Sequence, residues 1–122
     1  MRVPSFLLRR LYLKGSLRIT ATGFQFQLLN KLGSGYAKRL LPLTLDGEEL
    51  DAASSTFEIE GKTISFESVA SETPFTLAMN KTTTISYTGE AIEPGLHKIG
   101  MRFEVAGLGE LGFDFTDTAT TG

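Results

Sequence analysis

The chain has 122 residues, 41% of them hydrophobic and 21% charged, with a net charge of -2. This length suits one domain with a core that needs no staples, and the composition argues against disorder or a membrane span. With no cysteine, disulfides, thiol nucleophiles and thiolate metal sites are excluded. The net charge conceals a split. All fourteen acidic residues lie at or after Asp46, whereas eight of the twelve basic ones precede it. Such halves can neutralise each other within one fold, between copies, or against a partner.

The chain opens with Phe6-Leu7-Leu8 before Arg9 and Arg10. That apolar run is too short for a signal peptide or a spanning helix, so a cytoplasmic protein is expected. Pro4 to Leu13 fits a helix or a strand, and alternation favours the strand. A period of two then dominates. Leu17 and Ile19 alternate with polar neighbours, as do Phe24, Phe26 and Leu28 after a turn at Gly23. Leu41, Leu43 and Leu45 follow, with Pro42 marking an edge or a strand start. Asp46-Gly47 is a hairpin signal, and Ala52-Ala53-Ser54-Ser55 suits one short helical turn. Phe57 and Ile59, then Ile64 and Phe66, flank a turn at Glu60-Gly61. Ile85 and Tyr87 follow in a threonine-rich run. Pro94-Gly95 opens a strand carrying Ile99, Met101, Phe103 and Val105. Gly107-Leu108-Gly109 turns into Leu111, Phe113 and Phe115.

Short half-buried strands at this spacing predict an all-β fold. The expectation is one antiparallel β-sandwich over residues 1–122, jelly-roll or immunoglobulin-like, with little or no helix and frayed ends at 1–4 and 118–122.

Little catalytic chemistry is visible. His97, the only histidine, lies in phase with Ile99 and Met101. It is either a general base or pocket residue, or a side chain satisfied by a backbone carbonyl, and the second reading is favoured. No nucleophile elbow is present. Asp46, Glu48, Glu49 and Asp51 are the densest carboxylates, and they read as hairpin solubilisers rather than a calcium site. No metal, cofactor or catalytic residue is therefore expected, nor an enzyme.

The irregular stretch from Lys31 to Arg39 is the candidate functional surface. Within it, Gly33, Ser34, Gly35, Tyr36, Lys38 and Arg39 are the candidate contacts. A phosphate loop would lead into a helix, and here a strand follows. Arg9, Arg10, Lys14 and Arg18 cluster near Tyr12. In an acidic protein they suit salt bridges or an oligomer interface better than nucleic acid. Neither nucleic acid nor membrane is an expected partner.

Read together, Lys14-Gly15-Ser16-Leu17-Arg18, Gly23-Phe24-Gln25-Phe26, Leu43-Thr44-Leu45-Asp46-Gly47-Glu48-Glu49, Phe57-Glu58-Ile59-Glu60-Gly61-Lys62 and Pro94-Gly95-Leu96-His97-Lys98-Ile99 resemble the small β subunit of C-glycoside deglycosidases. The resemblance implies a noncatalytic β-sandwich that supports a metal-dependent TIM-barrel α subunit and lends the Gly33 to Arg39 loop to its substrate mouth. Some relatives carry names of large reductases. With no dinucleotide fingerprint here, such a label is not expected to fit. The expected partner is a catalytic α-type subunit or copies of the chain itself, giving a hetero- or homo-oligomer. A self-assembling structural protein and a small carbohydrate- or ligand-binding module are the alternatives.

Overall fold

The computed structural model describes residues 4–33 and 35–121. A short helix α1 (Ser5–Leu8) runs into a 3-10 turn at Arg9–Leu11. Twelve strands follow: β1 (Arg18–Thr20), β2 (Gly23–Leu29), β3 (Gly35–Ala37), β4 (Arg39–Leu40), β5 (Thr44–Leu45), β6 (Glu48–Glu49), β7 (Ser55–Ile59), β8 (Lys62–Ser65), β9 (Phe75–Leu77), β10 (Thr82–Thr88), β11 (Gly95–Val105) and β12 (Gly109–Thr121). The all-β expectation holds.

Ten strands form one curled sheet in the order β6-β5-β11-β12-β1-β2-β10-β7-β8, with β4 also on β11. β3 and β9 make a separate two-stranded ribbon. The curl brings distant strands face to face. Phe115 of β12 meets Phe26 of β2 edge-on at 5.1 Å between ring centroids, and Phe57 of β7 meets Phe75 of β9 at 4.7 Å. The core is therefore lined by the inward residues of both halves, Phe24, Phe26 and Ile85 on one and Ile99, Met101 and Phe113 on the other. Each such side chain contributes about 1.5–3 kcal/mol by leaving water.

The predicted turns form where their chemistry directs. Asp46 and Gly47 take φ of +50° and +91°, the double left-handed turn that an Asp-Gly pair permits. Glu60 and Gly61 repeat it between the paired residues Ile59 and Lys62. The 3-10 turn at Ala52–Ser54 is capped by Asp51, whose carboxylate accepts from Ala53 N–H at 2.9 Å.

Four expectations are corrected. Pro4 to Leu13 is helical at its start, not a strand. The Pro4 carbonyl accepts from the N–H groups of Leu7 and Leu8, and the i, i+3 spacing sends Leu8 and Leu11 together into the core. The run of Leu41, Leu43 and Leu45 is not one strand: β4 ends at Leu40 and β5 begins only at Thr44, and Pro42 between them has no N–H to offer β11. Leu40 pairs with Phe103 before the break and Leu45 with Ile99 after it.

Thr118 to Thr121 is not frayed. It is the end of β12, where Arg18 and Ile19 of β1 pair in parallel with Thr120 and Thr121, and Ala119 is buried. That parallel pair departs from the purely antiparallel arrangement expected. Residues 1–3 and 122 lie outside the described residues, and Pro4 is fixed by the two hydrogen bonds above. No helix among the described residues is long and apolar enough to cross a membrane.

Candidate functional site

An apolar groove of about 260 Å³ opens where four pieces of the fold meet. Leu8 and Leu11 form one wall and Leu77 of β9 another. Phe75, Ala37 and Phe103 supply the floor, and Leu111 with the Leu108 turn closes the far side. Above them, Leu32, Tyr36 and Leu108 stand at the lip, 39%, 56% and 40% exposed. Phe6, next to the lining residue Leu7, is 66% exposed.

Asn30 sets the shape of this lip. It is 1% exposed, at the end of β2. Its amide nitrogen donates to the carbonyls of Gly33 at 2.7 Å and Leu77 at 2.9 Å. Its amide oxygen accepts from the N–H groups of Leu32 and Gly33. One buried side chain thus ties the loop to β9 with every polar atom used. Sequence reasoning passed over Asn30. The available signal was an asparagine where an alternating strand stops, a residue that bonds nearby backbone.

The expected loop is only partly in the groove. Gly33, Gly35 and Tyr36 line it. Lys38 and Arg39 instead converge on Glu104 of β11, at 3.3 Å and 3.8 Å. Ser34 lies outside the described residues. The four expected interface bases also separate. Arg9 Nε donates to the Asp114 carbonyl at 2.6 Å, and its Nη2 sits 3.4 Å from the Asp114 carboxylate. Arg18 donates to the Gly15 carbonyl at 2.6 Å. Arg10 and Lys14 make no ion pair among the described residues. Of the basic front, Arg9, Lys38 and Arg39 pair with the acidic back among the described residues, through Asp114 and Glu104.

His97 sits at the mouth of β11, away from the groove. Its Nδ1 lies 2.6 Å from Asp46 Oδ2 and its Nε2 lies 2.6 Å from the Glu93 carbonyl. Both neighbours are acceptors, so both ring nitrogens are satisfied as donors only in the imidazolium. The hydrogen bond to Asp46 raises the His97 pKa, burial opposes this, and the Glu93 carbonyl adds to the rise. Asp46 is pulled below the usual carboxylate range by the Lys98 N–H first and by His97 second. An imidazolium held on both sides has no free lone pair with which to act as a base. Its side-chain partner, Asp46, lies 51 residues away in the sequence. It is found only once β5 lies beside β11, with Leu45 opposite Ile99.

A second hub joins the chain ends. Tyr12 donates to Asp117 Oδ2 at 2.7 Å while its ring stacks on Phe115 at 3.6 Å. Burial and the Asp117 bond push Tyr12 up to about 12. Burial alone would raise Asp117, but the donors Tyr12, Gly15 N–H and Thr118 N–H outweigh it and pull it down.

A polar trough lies on the outer face of the β11–β12 hairpin, lined by Lys98, Arg102, Glu110 and Asp114. Its charges pair locally, Lys98 with Asp114 at 3.8 Å and Arg102 with Glu49 at 3.1 Å. No group of three or more histidine or carboxylate side chains suited to a metal occurs among the described residues. Glu49 and Asp51 serve Arg102 and a helical cap separately.

A family model described as "Hydroxymethylglutaryl-CoA reductase, N-terminal domain" matches residues 7–120, and the chain belongs to this family. No curated protein matches it. The family match overturns the resemblance to the C-glycoside deglycosidase β subunit, and with it the supporting role beside a TIM-barrel α subunit. The shared motifs, Asp46-Gly47 and Pro94-Gly95 above all, are turn chemistry that many curled sheets need. They carried fold information, not lineage. The reservation about reductase names falls too: the family is named for an N-terminal domain, which need not itself hold a dinucleotide fingerprint.

Proposed function

We propose that this chain is a noncatalytic β domain of the hydroxymethylglutaryl-CoA reductase family that works by associating with a reductase-type catalytic domain, on the same or another polypeptide. The observation that carries this reading is the family match over residues 7–120 in a fold whose one histidine is held on both ring nitrogens. A domain with no free base or nucleophile gathered at its groove among the described residues is suited to contribute by binding rather than by proton transfer. The groove and its apolar lip are the surface best suited to that association. Self-association of copies is the competing mode for the same surface. A cytoplasmic setting is part of the proposal and agrees with the cysteine-free chain.

The test pairs an activity assay with a mass measurement. The purified chain alone should not reduce hydroxymethylglutaryl-CoA, and should form a discrete complex with a catalytic reductase domain by light scattering. Turnover by the chain alone that disappears in His97→Ala would overturn the noncatalytic reading. A homo-oligomer that excludes the catalytic domain would replace it with self-association.

A further inference from the structure

We propose that His97 is a pH-operated clasp for the loop of residues 89–94: when the imidazolium gives up the proton on Nε2, the ring stays on Asp46 and lets the loop go. The clasp lies away from the groove and does not depend on the association proposed above.

The loop joins β10 to β11 and has few other ties. Among the described residues, its hydrogen bonds run from Gly89 N–H to the Thr22 carbonyl at 2.7 Å and from the Glu93 carbonyl to His97 Nε2 at 2.6 Å. Pro94 has no N–H to give. Glu90 and Glu93 make no ion pair among the described residues. Ile92 packs against the core, while its neighbours on both sides are exposed. The bond to Glu93 is therefore what holds the end of the loop to the sheet.

The two bonds of the ring are unequal. Asp46 presents a carboxylate, steadied by the Lys98 N–H on its other oxygen at 2.9 Å. Glu93 presents a neutral carbonyl. The charge-assisted bond is the stronger, so a neutral ring keeps its proton on Nδ1 and Nε2 becomes an acceptor. A lone pair then faces the Glu93 carbonyl oxygen across 2.6 Å, and the two acceptors separate.

The surrounding charges decide when this happens. Asp46 faces the ring from the β5–β6 turn, and the Glu93 carboxylate faces it from the loop. Asp117 lies opposite His97 on β12, already engaged by Tyr12, Gly15 and Thr118, with Lys14 acting on it from the N-terminal segment. Lys98, next on β11, reaches Asp114 on the outer face. The facing acids favour the imidazolium. The clasp is closed at the ordinary value of 6.5 and opens as pH rises through the higher folded one.

Nitrogen-15 NMR of the full chain follows ring and loop in one titration. Order parameters of Ala91, Ile92 and Glu93 should fall from about 0.85 to below about 0.6 as His97 deprotonates, with the midpoint of the ring nitrogens, while those of Ile99 and Phe115 hold. The neutral ring should carry its proton on Nδ1. Asp46→Asn tests the inequality. Its Oδ1 still accepts from Lys98, its amide N–H donates to His97 Nδ1, and asparagine suits the left-handed backbone there. The neutral ring of this variant keeps its proton on Nε2, so the loop should stay ordered at alkaline pH. His97→Ala should leave the loop mobile on both sides of the midpoint. A loop whose order ignores the ring's titration would overturn the proposal. So would a neutral parent ring protonated on Nε2, or an Asp46→Asn loop that opens as the parent's does.

Discussion

His97 and Gly23 illustrate how much one residue can carry. The His97–Asp46 pair stands on two linked ionisations of opposite sign. His97 is raised, so its contribution is complete below its ordinary pKa of 6.5 and fades as pH rises through the higher folded value. Asp46 is lowered, so its contribution is complete above its ordinary 3.8 and fades as pH falls through the lower folded value. The pair is therefore at full strength between pH 3.8 and 6.5. His97→Ala should cost about 1 kcal/mol in that window, a modest sum because Asp46 is half exposed. The difference in melting temperature between parent and variant should shrink as pH rises above it; a pH-independent difference would refute the linkage. Gly23 works through space instead. A Cβ there would run into the Tyr87 carbonyl across the β2–β10 ladder, and backbone cannot step aside. Gly23→Ala should therefore cost at the upper end of the 1–3 kcal/mol usual for overpacking, roughly 3 kcal/mol by denaturant titration.

At the scale of the element, α1 and its 3-10 turn do two jobs with opposite faces. Leu8 and Leu11, 6% and 4% exposed, belong to the core, while Phe6 projects outward. Leu11→Ala should lose about 2–4 kcal/mol, because a buried wall of the groove collapses. Phe6→Ala should change stability by less than about 0.5 kcal/mol. Equal destabilisation by the two would mean that α1 packs differently. The segment is helical at its start, where the Pro4 carbonyl accepts from Leu7 and Leu8, and it pairs with the sheet at its end, where Tyr12 bridges Leu28 of β2. Tyr12 then anchors it to β12 through Asp117.

For the whole molecule, the decisive contact is between the two ends of the sequence. β1 and the last residues of β12 pair in parallel, and this joins the β11–β12 half of the sheet to the β2–β10 half. A chain stopped after Thr116 loses Asp117, the buried Ala119 and the whole of that pairing. It should unfold at a much lower temperature and less cooperatively, as followed by circular dichroism. A truncated chain melting like the parent would show that the junction is dispensable. The ion pairs that join the basic front to the acidic back lie at the surface and are worth about 0.2–1 kcal/mol each. Arg9 orients the N-terminal segment on the hairpin more than it stabilises it.

The all-β class and most of the turns were legible in the residues themselves, because side-chain alternation and Asp-Gly or Gly-x-Gly chemistry act over a few neighbours. The helical start was ambiguous for the same reason: Pro4 to Leu13 satisfies both periods, and only packing chooses. The groove was half visible, as a glycine-broken loop between two strands. Its other walls come from α1, β9 and the β11–β12 turn, which are far apart in the chain. Tertiary structure alone brought Asp46 to His97, Tyr12 to Asp117 and Arg9 to Asp114, pairings spanning 51, 105 and 105 residues. Alternation says which face of a strand is buried. It carries no information about which strand lies alongside, and that choice is made by how the faces fit when the whole sheet curls.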